Sequence, residues 1–212
     1  MERSKRLKWI EILKNHVVQN YKEYIIVIIF FITGIFLGVS FVNNIEENQR
    51  IEIHNYLTAF IEELKKAQDI NLIDILKTSI QDKIILTLCI WFFATTIIGI
   101  PIVFGIVTYR GFCLGYTIST IISLMGFTKG FTFILITLIL QNIILIPALM
   151  GLSVSGFKFY KDIIKDRRKE NIKIEFVRHT VFSGLMFLVL CVSCLIEVFV
   201  STNLLNWLIQ YF

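Results

Sequence analysis

The chain has 212 residues, 56% of them hydrophobic and 17% charged, with a formal net charge of +5 and a mean hydropathy of +0.73. A soluble domain carries about a quarter charged residues, so this composition excludes water as the main solvent. The lysines and arginines sit in blocks between apolar runs, which argues against a nucleic-acid surface, and two prolines and eleven scattered glycines argue against collagen-like or low-complexity sequence.

Residues 1–24 hold six basic residues, with Leu7, Ile10, Leu13, Val17 and Tyr21 at spacings of three and four. Two readings fit: a basic amphipathic helix on the anionic inner leaflet, and a solvated positive flank. Residues 25–45 are uncharged until the loop begins. A helix of about 20 apolar residues crosses the hydrocarbon core, and lipid offers backbone amides no other partner, so this stretch reads as a retained membrane anchor. It contains Gly34 and Gly38 at the GxxxG spacing that lets helix backbones approach.

Residues 46–83 make the one sizeable hydrophilic segment, with eight acidic and five basic residues. Ile53, Leu57, Phe60 and Leu64 recur at helical spacing with Tyr56 among them, and Leu72, Leu76 and Ile80 do so again after Asn71, a plausible N-cap. So short a segment does not build its own core. Its apolar stripes must cover the membrane surface, the other spans or a partner, and Ile53, Tyr56, Leu57, Phe60 and Leu64 are the candidate docking residues.

Four more uncharged stretches follow: 84–109, 111–128, 130–157 and 180–196, the last continuing past Glu197 to 202. The chain is therefore expected to be an all-α integral membrane bundle of five transmembrane helices, with 84–157 carrying helices 2–4 and 158–179 a basic cytoplasmic loop. Arg110 and Lys129 alone separate spans two, three and four, so a re-entrant third segment is the competing model. Short cytoplasmic segments carry excess Lys and Arg. Five spans with the N-terminus inside put fifteen basic residues inside and six outside, whereas a re-entrant segment gives eight and thirteen. The tally favours five spans, with the C-terminus outside. Residues 203–212 mix Trp207 and Tyr211 with apolar and amide residues, and read as an interfacial tail or as a continuation of span five.

Gly111 and Gly115 repeat the close-packing spacing, while Gly126 and Gly130 straddle Lys129 and read as a turn. Pro101 and Pro147 are expected to kink spans two and four. Gln141 and Asn142 fall near the bilayer centre, where amide side chains bond to neighbouring helices or line a polar path. Glu197, at the outer end of span five, reads as an interfacial carboxylate or a partner contact. Arg110 is expected at the inner surface, so the two should not meet.

The search for reaction chemistry is negative. His16, His54 and His179 all fall outside the spans and on both sides of the membrane, so they do not converge on a metal or a nucleophile. No HExxH, GxSxG or GxxxxGK[ST] pattern occurs. Cys191 and Cys194 form a CxxC inside span five, where ordinary small packing residues are the simpler reading; Cys89 and Cys113 are also within spans. No catalytic residue, metal site or cofactor is expected, and the chain is expected not to be an enzyme.

The run Gly99-Ile-Pro-Ile-Val, then Arg110-Gly-Phe-Cys-Leu-Gly-Tyr-Thr, Met125-Gly-Phe and Gln141-Asn-Ile-Ile-Leu-Ile-Pro-Ala148 resembles the stage II sporulation protein M family, and the resemblance extends over nearly the whole chain, to Leu195-Ile-Glu197. It implies a membrane scaffold of endospore formation that holds two peptidoglycan hydrolases, sporulation proteins D and P, at the septum so that the mother-cell membrane can engulf the forespore. The expected location is the mother-cell side of the septal membrane, and the expected partners are those hydrolases and membrane lipid, with no nucleic acid. The competing reading is a transporter or permease subunit with a polar path through Gln141, Asn142 and Glu197.

Overall fold

The computed structural model describes residues 17–66, 72–96, 98–135, 138, 140–165 and 169–201. Helix α1 spans Tyr21–Asn44, α2 Glu47–Lys66, α3 Leu72–Ala94, α4 Gly99–Met125, α5 Phe127–Ile134, α6 Leu140–Lys165 and α7 Lys169–Ile196, and α7 ends in a π-helical turn over Glu197–Ser201. The fold is all-α, with no strand among the described residues. Four segments are long and apolar enough to cross a membrane: Tyr21–Asn44, Gly99–Met125, Gln141–Ile164 and Ile172–Phe199. Helix α3 falls outside that class because Lys77, Asp82 and Lys83 interrupt it, yet it packs against α4, α6 and α7 in the same bundle.

The sequence-based boundaries of the second and third spans are overturned. The chain breaks at Thr95–Ile98 rather than at Arg110, which lies in the middle of α4. Thr95 and Thr96 turn their hydroxyls onto the carbonyls of Phe92 and Phe93, at 2.7 and 2.9 Å, and their amides bond to the same carbonyls. This three-residue bonding tightens and ends the helix. Pro101 has no N–H for a carbonyl four residues upstream, so a helix running on from Ala94 would break here anyway. Pro101 therefore stands in the first turn of α4, where the missing donor costs nothing, and does not kink a span. Pro147 lies inside α6.

The hydrophilic segment is also shorter than the sequence suggested. Ser79 and Lys83, assigned to the external loop, are buried in α3 together with Leu86, Thr87, Ile90 and Ala94. Residues 84–94 therefore complete a helix already begun at Leu72. Likewise α7 starts within the expected basic loop, and α5 begins span four three residues before Gly130. Residues 1–16 and 202–212, which hold most of the basic N-terminal stripe and the aromatic tail, lie outside the described residues.

Contacts fix the direction of each helix. Glu23 pairs with Lys161 at 2.6 Å, Trp91 Nε1 donates to Thr180 Oγ1 at 3.1 Å, and Ala94 lies against Gly156. One end of the bundle thus gathers the start of α1, the end of α3, the end of α6 and the first half of α7. Ser193 near Gln141 and Glu197 near Ser79 define the other level. Helices α1, α4 and α7 run one way, α3 and α6 the other. Two apolar clusters fill the interior, one around Ile90, Leu149 and Leu190 and one around Val27, Val107 and Val154. Outside, Ile25, Ile29, Ile32 and Phe36 form an exposed stripe along α1, as expected of a face that meets lipid.

The tightest packing joins α1 to α4. Gly34 and Gly38 face Thr108, Phe112 and Tyr116, while Gly111 and Gly115 face Phe31 and Ile35. Facing residues rise in number together along both helices, so the pair is parallel. A Cβ at any of the four positions would overlap a carbonyl oxygen of the facing helix. Only hydrogen fits there, and the two backbones touch. Gly126 holds φ at 76° between α4 and α5, a left-handed value that glycine adopts without strain.

Candidate functional site

Helix period places polar groups at one level of the interior. On α3, Ser79 and Lys83 stand four residues apart on the face that buries Leu86 and Ile90. On α7 and its π-turn, Ser193 and Glu197 repeat that spacing. The start of α6 adds Gln141 and Asn142, and α4 adds Arg110. Arg110 is the twelfth of the 27 residues of α4 and Lys83 the twelfth of the 23 of α3, so both charges lie at mid-length.

Glu197 organises the cluster. Its Oε2 accepts hydrogen bonds from Ser79 Oγ and Gln141 Nε2, each at 2.5 Å, and stands 3.9 Å from Lys83 Nζ. The Lys83 side chain is 5% exposed and that of Glu197 31%, so the ammonium is more deeply desolvated than its partner. Ser193 Oγ donates to the Gln141 carbonyl at 3.1 Å, and Asn142 Nδ2 donates to the Leu138 carbonyl at 2.7 Å. Three helices are thereby tied through one carboxylate. Charge-assisted bonds of this kind are about twice as strong as neutral ones, and a carboxylate with several donors tolerates a low-dielectric site.

Beside the cluster lies a cavity of about 160 Å³ lined by Phe31, Lys83, Arg110, Cys113, Leu114, Thr117, Leu138, Gln141, Asn142, Leu145 and Ile146. Four helices of the chain, α1, α3, α4 and α6, contribute to its wall. The expectation that Arg110 and Glu197 belong to opposite surfaces is therefore corrected: Arg110 faces the same cavity as Lys83 and Gln141, and both of those reach Glu197. Gln141 joins Glu197 directly, whereas Asn142 bonds back to Leu138, four residues earlier in the chain.

The remaining sequence candidates divide between two regions. His179 is not outside the bundle as expected; it is buried, bonded through Nδ1 to Ser155 at 3.0 Å and stacked on Phe159. His54 sits on exposed α2 beside Thr58, and His16 lies outside the described residues. Cys89, Cys113, Cys191 and Cys194 are free thiols. Helix α2 carries the proposed docking stripe and makes no extended packing contact with another described helix. Ile53 is half-buried and Tyr56 is 73% exposed. Leu57, Phe60 and Leu64 lie in the same helix, with side chains outside the described set.

Sequence reasoning missed Lys83 and Arg110, because a basic residue between apolar runs was read as a loop, and it did not single out Ser79 or Ser193. A signal was present. The stripe Leu72, Leu76, Ser79, Lys83, Leu86, Ile90, Ala94 keeps helical spacing without interruption, so Lys83 belonged to the buried face from the start.

A family model described as stage II sporulation protein M matches residues 27–202, and the chain belongs to that family. No curated protein and no solved structure matches it.

Proposed function

We propose that this sporulation-related membrane protein is a non-enzymatic scaffold of five membrane-crossing helices, α3 being the fifth, which holds the peptidoglycan hydrolases known as sporulation proteins D and P at the septal membrane on the mother-cell side. Family membership supports the setting. The observation that carries the docking role is α2: an amphipathic helix joined to the bundle at both ends and, among the described residues, without extended packing against it. The antiparallel placement of α3 supports the fifth crossing, since it runs the length of the bundle between α4, α6 and α7. Basic residues support the orientation. Six fall in residues 1–24 and eight between Lys158 and Arg178, two stretches that share a side in the five-span reading, whereas the connections on the other side hold Arg50, Lys65, Lys66 and Lys129.

In this reading α2 supplies proximity and the bundle supplies a rigid mount. Deleting residues 52–66, or reversing Glu52 and Glu62 to lysine, removes hydrolase co-purification from sporulating cells while the protein stays in the membrane fraction. Undiminished co-purification would show that docking lies elsewhere. A permease subunit is the second reading, favoured by the charged groups at mid-bundle. Replacing Gln141, Asn142 and Glu197 with Leu or Ala abolishes solute movement in a permease, but leaves hydrolase retention in a scaffold whose bundle still folds.

A further inference from the structure

The mid-bundle cavity carries an unbalanced charge. Arg110 and Lys83 both line it, and among the described residues no carboxylate does. Glu197, which Lys83 and Gln141 of the wall both reach, is already engaged by Lys83, Ser79 and Gln141. Among the described residues Arg110 makes no ion pair and no side-chain hydrogen bond. Arg110 is only half-buried, but a partly desolvated charge without a partner favours an anion beside the guanidinium. Its planar fork of donors matches two oxygens of an oxyanion.

We propose that this cavity is a binding site for a small oxyanion of the phosphate class, held by the Arg110 fork with the Lys83 ammonium as second cation. The wall explains why the occupant is small. Phe31 of α1, Lys83 of α3, Arg110 and Thr117 of α4, and Asn142 of α6 surround about 160 Å³, which takes an oxyanion with a few waters and not a helix from another chain. The oxyanion is either free in solution or the headgroup of an anionic lipid entering between helices. The proposal rests on the cavity alone, and stands or falls apart from the docking role of α2.

The test uses the full chain in phosphatidylcholine nanodiscs, with inorganic phosphate titrated at constant ionic strength and thermal unfolding as readout. A saturable rise in unfolding temperature is expected, and chloride gives none. Arg110→Gln requires roughly tenfold more phosphate for the same effect, and Arg110→Lys, which keeps the charge without the fork, falls between the two. Glu197→Gln binds phosphate more tightly, since a competing negative charge is gone. Stabilisation by phosphatidylglycerol discs that depends on Arg110, in place of stabilisation by free phosphate, assigns the site to a lipid headgroup. Where Arg110→Gln does not fold, Lys83→Gln takes its place and binds several-fold more weakly. No stabilisation from either source, or equal stabilisation of wild type and the folded variants, overturns the site.

Discussion

A methyl group at Gly38 would overlap the carbonyl oxygen of Phe112, whereas one at Gly105, on the same α4 helix as Phe112, would meet nothing within 4 Å. The two glycines should therefore respond oppositely to one substitution. Gly38→Ala forces α1 and α4 apart and is expected to destabilise by about 1–3 kcal/mol, while Gly105→Ala gains up to about 1 kcal/mol from helix propensity. Unfolding in a detergent or denaturant series measures both, and a neutral Gly38→Ala would contradict the backbone contact. The carboxylate of Glu197 gives a second residue-scale prediction. Glu197→Leu strands a Lys83 side chain that is 5% exposed, and is expected to cost about 3–5 kcal/mol. Lys83→Met combined with Glu197→Leu should recover most of that loss, because neither charge is then left buried alone. A double variant no better than the single would mean that the pair is not coupled.

At the scale of elements, α2 and α3 divide what looked like one hydrophilic segment. The apolar side of α3 is matched by α4, α6 and α7, so α3 belongs to the bundle, and among the described residues α2 has no such match. Removing residues 52–66 should therefore leave bundle stability within about 0.5 kcal/mol of wild type, as for surface changes elsewhere. Residues 45–51 and 67–71 remain after that deletion and reach at most about 40 Å when extended. By contrast, Leu86→Ala and Ile90→Ala, on the buried face of α3, should each cost about 2–5 kcal/mol. Loss of stability on deleting α2 would show that it packs on the bundle after all. The helix stop before Gly99 was readable in principle. Two threonines and, after two isoleucines, Gly-Ile-Pro end one helix and start another, and a count of uncharged residues overlooks this because none of these residues is charged.

For the whole molecule, orientation is the testable quantity. In a background with the four native cysteines replaced by serine, Asn55→Cys on α2 should react with a membrane-impermeant thiol reagent in intact cells. Ile164→Cys, exposed near the end of α6, should react only after lysis. The reverse pattern would turn the bundle over and remove α2 from the compartment of the wall hydrolases. Labelling of both sites in intact cells would mean that α3 does not cross.

Composition and run length determined that this chain is a helical membrane protein, because about 20 residues without charge have only one way to satisfy their backbone in lipid. The GxxxG pairs at Gly34, Gly38, Gly111 and Gly115 were legible for the same kind of reason: a missing side chain is a local property. Which glycines face which, and that α1 and α4 run parallel, came only from the tertiary structure. So did the meeting of Lys83, Arg110, Gln141 and Glu197 at one level. A charge in an apolar run reads as a loop when taken alone, since an isolated ion in lipid is prohibitive. Whether Lys83 is isolated depends on Glu197, more than a hundred residues further along the chain, and only the packed bundle brings the two together.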